Sequence, residues 1–452
     1  MSELRSSDLE AVREQLGREP TTRFSVVARC SVGHPLVIRN HPLDAEGRPF
    51  PTLYWLTCRD ADGAVAALES EGWIDRLEIE FAWRLERVHR EYGEDRAHEL
   101  PEARSWGGVG GTRVGVKCLH AHYANHIGGA DDPVGAWVAG RVEPVHEEGP
   151  RAAAVDLGTN SIRLVVAERG EGGGLLELAR DMQITRIGQG VDRTGRIDED
   201  ALTRTVGVLE RYARRARALH ATRIRVGATS AVRDASNREE LEEAVRRHTG
   251  SELEVLTGEQ EGGLSFLGAT RGLDADPPFV VLDIGGGSTE FVYGTDRPEA
   301  AISTQMGSVR LTERHVSHDP PTEEELGALR EAVAASLDLA EAAVPVGRAE
   351  TLVAVAGTST TLRAIDLDLD HYDPDRIHRS RLSRSEAEAV LDRLARMTTP
   401  ERGRLPVMAA GREDVIVAGG IILVETMRRW HFAEAVVSES DILDGLALEL
   451  LG

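Results

Sequence analysis

The chain has 452 residues, of which 41% are hydrophobic and 29% are charged, and this composition is typical of a folded protein with more than one domain. Its net charge of −23 disfavours a general nucleic-acid binder, because the phosphate backbone attracts proteins of the opposite sign. The charge does not exclude a phosphate-binding enzyme, since backbone amides, a few arginines and a metal ion can offset it locally.

The N-terminus, MSELRSSDLEAVREQ, is charged and unlike a signal peptide, and no apolar run approaches the roughly 20 residues of a membrane span. Three cysteines in a chain of this length argue against a secreted disulfide scaffold. We therefore expect a cytoplasmic protein without a membrane partner.

The first module in chain order covers residues 1–141 and holds all three cysteines and five of the six tryptophans. Thiols and imidazoles are zinc ligands, and a bound Zn²⁺ is a speculative possibility here. No C-x-x-C pair is present, and cysteines buried as small hydrophobes are the alternative. The candidates for a metal or thiol site are Cys30, Cys58, Cys118, His120 and His122.

Residues 142–150, VEPVHEEGP, have the composition of a linker. The chain then continues with AAAVDLG, which predicts a buried strand, followed by a turn and a returning strand over 162–167. The segment FVVLDIGGGSTEFVY at 279–293 repeats this pattern, with Asp156 matching Asp283. We interpret the repeat as an internal duplication of one hairpin.

Between and after the two hairpins, helical and strand patterns alternate. Helices are predicted near 202–213 and over 238–247, and strands over 223–227 and 352–356. The alternation indicates an α/β architecture, and two related halves suggest a cleft between them.

The hairpin turns are rich in glycine and hydroxyl residues, so that successive backbone N–H groups can bind phosphate oxygens. Glycine is expected there for positive φ angles and for close approach of the backbone. The predicted phosphate-binding residues of the turns are Gly158, Thr159, Asn160, Ser161, Gly285, Gly286, Gly287, Ser288 and Thr289.

The acids around the predicted cleft are candidates for metal binding and for activating water. Asp156 and Asp283 would bind Mg²⁺ across the cleft, although each could simply cap its own turn. Glu261, at the start of a predicted helix, and Glu290, after the second turn, are the further acids. Arg233 could donate to phosphate, and a surface ion pair is its alternative role.

Eight ordered motifs within residues 151–452 resemble the exopolyphosphatase and guanosine-pentaphosphate phosphatase (Ppx/GppA) family in its short form. They are AVDLGTNSIRLVV, GATSAVRDASN, LTGEQEGGLSFLGA, VLDIGGGSTEF, MGSVRLTE, VAGTSTTLRAI, REDVIVAGG and VSESDILDGLAL. The resemblance implies an actin-like, two-domain ribonuclease-H-like fold with a cleft. Its domains would cover 151–275 and 276–436, with residues 437–452 packing back on the first.

The resemblance also implies site roles. Glu261 would be the water-activating base, Asp156, Asp283 and Glu290 would organise metal and phosphate, and Arg233 would hold the phosphate chain together with the second turn. The family often has two glutamates followed by Ala-Arg, whereas this chain has Gln-Glu-Gly-Gly at 260–263, so the second glutamate is retained and the arginine is missing.

Residues 20–141 resemble the uncharacterised DUF501 family through RCSVGHPLVI, PFPTLYWLTC and GVKCLHAHYANHIGG. We expect a separate α+β module there, with no activity implied. For the whole chain we expect a Mg²⁺-dependent, homodimeric hydrolase that removes the terminal phosphate of short-chain polyphosphate or of guanosine pentaphosphate (pppGpp). The alternatives are an ATP-dependent kinase of the same superfamily and a non-catalytic regulator that binds polyphosphate or a nucleotide.

Overall fold

The computed structural model describes residues 5–50, 52–142, 149–170 and 174–452. Most of the predicted linker, residues 143–148, lies outside these ranges. Among the described residues, no helix combines the length and the apolar character needed to cross a lipid bilayer.

The N-terminal module is a three-stranded antiparallel sheet, in the order β1-β2-β3, packed against helices. The strands are β1 (Phe24–Arg29), β2 (Pro35–Asn40) and β3 (Tyr54–Leu56). The helices are α1 (Ser6–Leu16), α2 (Arg59–Ser70), α3 (Trp73–Ala97), α4 (Leu119–Ile127) and α5 (Pro133–Ala139). The predicted α+β class of this module is therefore confirmed.

A second sheet of five strands follows, in the order β6-β5-β4-β7-β8. The strands are β4 (Arg151–Leu157), β5 (Ser161–Arg169), β6 (Leu175–Ile184), β7 (Arg223–Ala228) and β8 (Leu253–Val255). The helices are α6 (Val191–Thr194), α7 (Glu199–Ala218), α8 (Ser230–Asp234), α9 (Glu239–Thr249) and α10 (Gly258–Thr270). The side chain of Asp198 caps the start of helix α7, because it accepts hydrogen bonds from the backbone N–H groups of Asp200 and Ala201.

The third sheet has six strands, in the order β11-β10-β9-β12-β14-β13. The strands are β9 (Phe279–Ile284), β10 (Thr289–Gly294), β11 (Pro298–Thr304), β12 (Thr351–Val355), β13 (Ser380–Ser383) and β14 (Glu434–Val437). The helices are α11 (Ser308–His315), α12 (Glu323–Ala343), α13 (Ala356–Asp366), α14 (Pro374–Ile377), α15 (Arg384–Arg396), α16 (Thr399–Arg402), α17 (Ile416–Arg429) and α18 (Ile442–Leu451).

The second and third sheets have the same topology. In each, three consecutive strands form an antiparallel meander, and the next two strands of the order extend it in parallel from the first strand. This is the duplicated ribonuclease-H-like arrangement of actin-like proteins, and it confirms the predicted fold class. The matching first hairpins lie in β4–β5 and β9–β10.

The C-terminal helix α18 lies on the second sheet and against α10. Two glycines allow the helices to touch at the backbone. A Cβ atom on Gly445 would lie 2.2 Å from the Leu264 carbonyl oxygen, and one on Gly268 would lie 2.0 Å from the Asp441 carbonyl oxygen. The close approach fixes the start of α18 beside the helix that carries Glu261.

The N-terminal module shares its buried apolar cluster with the second sheet, since Val27 of β1 and Leu178 of β6 belong to the same cluster. Polar contacts add to this interface. Ser31 donates to Glu168 at 2.7 Å, and Arg5 pairs with Glu177 at 2.8 Å. The module therefore shares its main apolar core with the second sheet, and a smaller cluster of Val12, Phe24 and Ile38 is its own.

We expect Gly445→Ala to lower stability by about 1–3 kcal/mol, because the added methyl group meets backbone that cannot move alone. The matched control is Gly327→Ala in α12, where a Cβ would meet nothing within 4 Å. That variant should be neutral or slightly stabilising, since alanine favours helix. Apparent melting temperatures of both variants test the prediction, and equal values would contradict it.

Candidate active site

The two hairpin turns that follow β4 and β9 have the same hydrogen-bonding pattern. The Gly158 N–H donates to the Ser161 carbonyl at 3.0 Å, and the Gly285 N–H donates to the Ser288 carbonyl at 3.0 Å. The duplication seen in the sequence therefore extends to the backbone of the turns.

The glycines of these turns serve close packing, and the expectation of positive φ angles was wrong. Gly158, Gly285, Gly286 and Gly287 all lie outside the left-handed region. A Cβ on Gly287 would lie 2.4 Å from the Ser230 hydroxyl, and one on Gly286 would lie 3.0 Å from the Thr159 Cβ. Only glycine lets the second turn approach the first turn this closely.

The turns meet at one end of a cleft that encloses about 140 Å³. The hydroxyls of Thr159 in the first turn and Ser230 at the start of α8 lie 3.0 Å apart, and Gly287 of the second turn packs against both. The predicted site residues that line the cleft are Asp156, Gly158, Thr159, Asn160, Ser161, Glu261, Asp283, Gly285, Gly286 and Ser288.

Four predicted residues are not among those that line the cleft but adjoin it: Arg233, Gly287, Thr289 and Glu290. The Thr289 hydroxyl is buried and donates to the Met306 carbonyl, so it supports the turn. Arg233 donates to the Leu256 carbonyl at 2.7 Å and lies 3.5 Å from Glu261. The surface ion pair considered for Arg233 is replaced by this contact with the candidate base.

In each hairpin, a charged residue lies directly across the strand pair from the aspartate and follows it by seven positions in the sequence. Asp156 is the cross-strand neighbour of Arg163, and Asp283 is that of Glu290. In the first hairpin the Arg163 guanidinium donates to Asp156 at 2.7 and 3.0 Å and also to Asp441 at the start of α18. One aspartate is thus paired with a cation, and the other with a second acid.

Both acids of the second hairpin are buried, and each accepts a hydrogen bond from a serine. Asp283 accepts a hydrogen bond from Ser265, and Glu290 accepts one from Ser303 at 2.6 Å. Burial, followed by repulsion from Asp441, raises the pKa of Asp283 to about 6. Burial, followed by repulsion from Asp283, raises the pKa of Glu290 to about 8.

Glu261 lies in the first turn of α10, which begins in a capping box formed by Thr257 and Gln260. Its neighbour Gly262 packs on β10, where a Cβ would lie 2.6 Å from Val292. The missing side chain brings the helix close to the sheet. Burial, together with repulsion from Glu290, Asp283 and Asp156 in that order, raises the pKa of Glu261 well above its usual range.

Three buried carboxylate oxygens of this cluster have no hydrogen-bond partner among the described residues: Asp156 Oδ1, Glu261 Oε2 and Glu290 Oε2. Buried anionic oxygens of this kind need a proton or a cation. Mg²⁺ prefers oxygen ligands, usually one or two carboxylates together with substrate phosphates. The donor set therefore fits a hard divalent cation.

Sequence reasoning missed several residues of the cleft. Arg163 lies in the motif AVDLGTNSIRLVV and Asp441 in VSESDILDGLAL. The seven-residue spacing from Asp156 to Arg163 is a signal that could have identified Arg163. Arg412 also lines the cleft and donates to the Gly357 carbonyl at 3.1 Å. Ala356, beside it, has a φ of 63°, which is strained for a side chain with a Cβ.

The two halves touch on both sides of the cleft. The Asn160 side chain donates to the Gly411 carbonyl at 3.3 Å. On the other side, Arg310 donates to the Gly287 carbonyl at 2.7 Å and pairs with Asp234 at 2.8 Å. Arg310 therefore ties the second turn to the first half.

The five candidates for the N-terminal metal or thiol site are not brought together. Cys30 and Cys58 are both buried and lie beside each other. His122 is fully buried, with Nδ1 2.8 Å from Asp132. Cys118 and His120 lie elsewhere, beside the carboxylate of Glu69.

Two duplicated α/β domains with turns of the phosphate-binding type and buried carboxylates define an actin-like phosphohydrolase. The chain belongs to the Ppx/GppA phosphatase family, whose model matches residues 165–452, and it is a hydrolase that acts on phosphoanhydride bonds. Residues 26–140 match the model of DUF501, a family of unknown function.

Named relatives agree with this assignment. Exopolyphosphatase 2 of Mycobacterium tuberculosis (strain ATCC 25618 / H37Rv) is 44% identical over 315 residues, which cover 67% of this chain and 99% of the relative. An exopolyphosphatase-like protein of known crystal structure has 37% sequence identity to this chain and a TM-score of 0.64. The match covers 67% of this chain and 98% of that protein's chain. The crystal structure of the Aquifex aeolicus member of the Ppx/GppA family shows 32% identity and a TM-score of 0.58. The match covers 67% of this chain and 97% of the Aquifex chain.

The raised pKa of Glu290 predicts a pH-dependent penalty. The unfolded carboxyl ionises near 4.5 and the folded one near 8, so its destabilising effect grows as the pH rises through that window and then levels off. The melting temperature of Glu290→Gln should therefore rise relative to that of the wild type as the pH increases from 4.5 to 8. Both proteins are measured in the presence of a chelator. The exposed Glu259→Gln should show no such trend, and a constant difference for Glu290→Gln would contradict the prediction.

Proposed function

We propose that this protein hydrolyses the terminal phosphate of short-chain inorganic polyphosphate or of pppGpp, with Glu261 activating water. The observation that carries the proposal is the convergence of Glu261, Asp156 and Asp283 on one cleft between two phosphate-type turns. Relatives named exopolyphosphatase support the polyphosphate substrate. The two substrates end in the same phosphoanhydride, and the residues of the cleft do not separate them.

In this proposal the turn amides bind the terminal phosphate, because free N–H groups at a glycine-rich turn favour anions. The hydroxyls of Ser161 and Ser288 add donors at the two turns. Mg²⁺ bound by Asp156, Asp283 and Glu290 would supply positive charge that offsets the repulsion among the carboxylates and the phosphate oxygens.

Glu261 is suited to accept a proton from water. A general base works best when its pKa lies near the working pH, and an ordinary glutamate is too acidic. Burial and neighbouring acids raise the pKa of Glu261, while the guanidinium of Arg233 lowers it. Arg233, which lies 3.5 Å from Glu261, would position the base in addition to its predicted role in binding phosphate.

The kinase alternative would need Gly357 and Thr358, in the first turn of α13, as part of an adenine-binding element. Arg412 packs on this glycine so closely that a Cβ there would lie 2.2 Å from its guanidinium. This contact occupies the face of Gly357 that an adenine ring would need, which disfavours the kinase alternative. That the protein is cytoplasmic, and that it forms a homodimer, both stay predictions from the sequence.

Glu261→Gln should lower kcat by about 10²–10⁴-fold, because the amide cannot accept the proton of water. Binding of a short polyphosphate, measured by calorimetry, should persist. Glu259→Gln, two residues earlier on the exposed side of α10, is the matched control and should keep full turnover. Wild-type kcat in Glu261→Gln would overturn the assignment of the base.

A substrate panel separates the alternatives. Phosphate release from short-chain polyphosphate, pppGpp and ATP is measured with Mg²⁺ and with excess chelator. We expect turnover of polyphosphate or pppGpp to exceed that of ATP and to be lost in chelator, because the buried acids repel phosphate without a cation. A preference for ATP would favour a kinase, and no turnover of any substrate would favour a non-catalytic regulator.

A further inference from the structure

The N-terminal module brings three potential metal ligands together on one side, away from the cleft. Glu69 lies one residue before the end of α2, Cys118 directly precedes α4, and His120 is the second residue of α4. One donor atom from each side chain lies within 4.8 Å of the other two. Among the described residues they form the one group of three or more such side chains with this spacing.

The spacing of these atoms is close to that of a zinc site. Bonds of about 2.0–2.3 Å in a tetrahedral site put neighbouring ligand atoms about 3.3–3.8 Å apart. Glu69 Oε1 and His120 Nδ1 are 3.1 Å apart, so the pair needs almost no movement to share an ion. The donor atom of Cys118 lies within 4.8 Å of those of Glu69 and His120, so a shift of about 1 Å brings it to the tetrahedral spacing.

The contacts of the imidazole indicate that a positive charge belongs here. His120 Nδ1 faces Glu69, and Nε2 lies 3.1 Å from the Asp62 carbonyl and 3.4 Å from its carboxylate. A neutral imidazole donates through only one nitrogen, so one of these contacts sets a lone pair against an oxygen. A cation between Nδ1 and Glu69 removes that conflict, and the Nε2–H then donates to Asp62, as metal-bound histidines commonly do.

The surroundings also suit the other two ligands. The Leu119 N–H donates to Glu69 Oε1, which holds this oxygen facing the imidazole of His120. The Cys118 thiol lies directly before α4, within reach of both side chains. The Glu69 and His120 side chains are 24% and 22% exposed, so an ion can enter from solvent.

We propose that Glu69, Cys118 and His120 bind one Zn²⁺ ion and leave its fourth position open to water or another small ligand. A thiolate and an imidazole favour Zn²⁺ over the Mg²⁺ expected in the oxygen-lined cleft. The site joins α2 to the start of α4. It is independent of the proposed function, because it uses no residue of the cleft.

Cobalt is the probe, since Co²⁺ replaces Zn²⁺ and gives a thiolate-to-metal absorption band that an all-oxygen site cannot give. The full chain, freed of metal with chelator, is titrated with Co²⁺ and then with Zn²⁺. We expect a band at one equivalent, and its loss when Zn²⁺ displaces Co²⁺. Since the ion must displace the thiol proton, binding should strengthen as the pH rises.

Three variants locate the site. Cys118→Ser should abolish the band, and His120→Asn and Glu69→Gln should each weaken Zn²⁺ binding at least about tenfold. Cys58→Ser is the matched control, because that thiol is buried beside Cys30 and outside the group. Circular dichroism and phosphate release should be unchanged in all four. No band in the wild-type protein, or the same band in Cys118→Ser, would overturn the proposal.

Discussion

The structure of the active site depends on the burial of four carboxylates around one cleft. Asp156, Glu261, Asp283 and Glu290 would repel one another strongly if all were ionised, because water is excluded from their surroundings. Arg163 pairs with Asp156, and Arg233 lies 3.5 Å from Glu261. Among the described residues, three of the four acids still keep a buried oxygen without a hydrogen-bond partner. Such an arrangement costs stability in the free protein and favours ligands that carry positive charge into the cleft together with phosphate.

Much of the fold serves to maintain this arrangement. The glycines of the second turn allow it to touch the first, and Gly262 allows α10 to approach β10. Helix α18 contributes Asp441, which shares Arg163 with Asp156, and Gly445 sets the distance between that helix and α10. Close backbone contacts, where any Cβ would clash, therefore decide where the acids lie. Substitutions at these glycines should disturb the site without removing any charged group.

The N-terminal module is joined to the phosphatase part through a shared apolar cluster and through ion pairs such as that between Arg5 and Glu177. Glu177 lies on β6 beside Arg180, which lines the cleft and pairs with Asp444 of α18. A continuous set of charged contacts thus runs from the module to the helix that supports the active site. The cysteines divide between a buried pair and the Glu69 group, so thiol chemistry in this module concerns two places and not one.

The sequence by itself determined the duplicated hairpins, the α/β alternation, the family and ten of the residues that line the cleft. Strand patterns and the Asp-x-Gly turns are local, and the chain repeats them in order. Only the tertiary structure decided which acids face each other, because register places Glu290 opposite Asp283 but Arg163 opposite Asp156. The tertiary structure also brings Arg233 to Glu261 and Cys118 to Glu69. These contacts join segments that are distant in the chain, so no sequence spacing predicts them. The packing reason for the glycines was likewise hidden, because close approach depends on the partner surface and not on the turn alone.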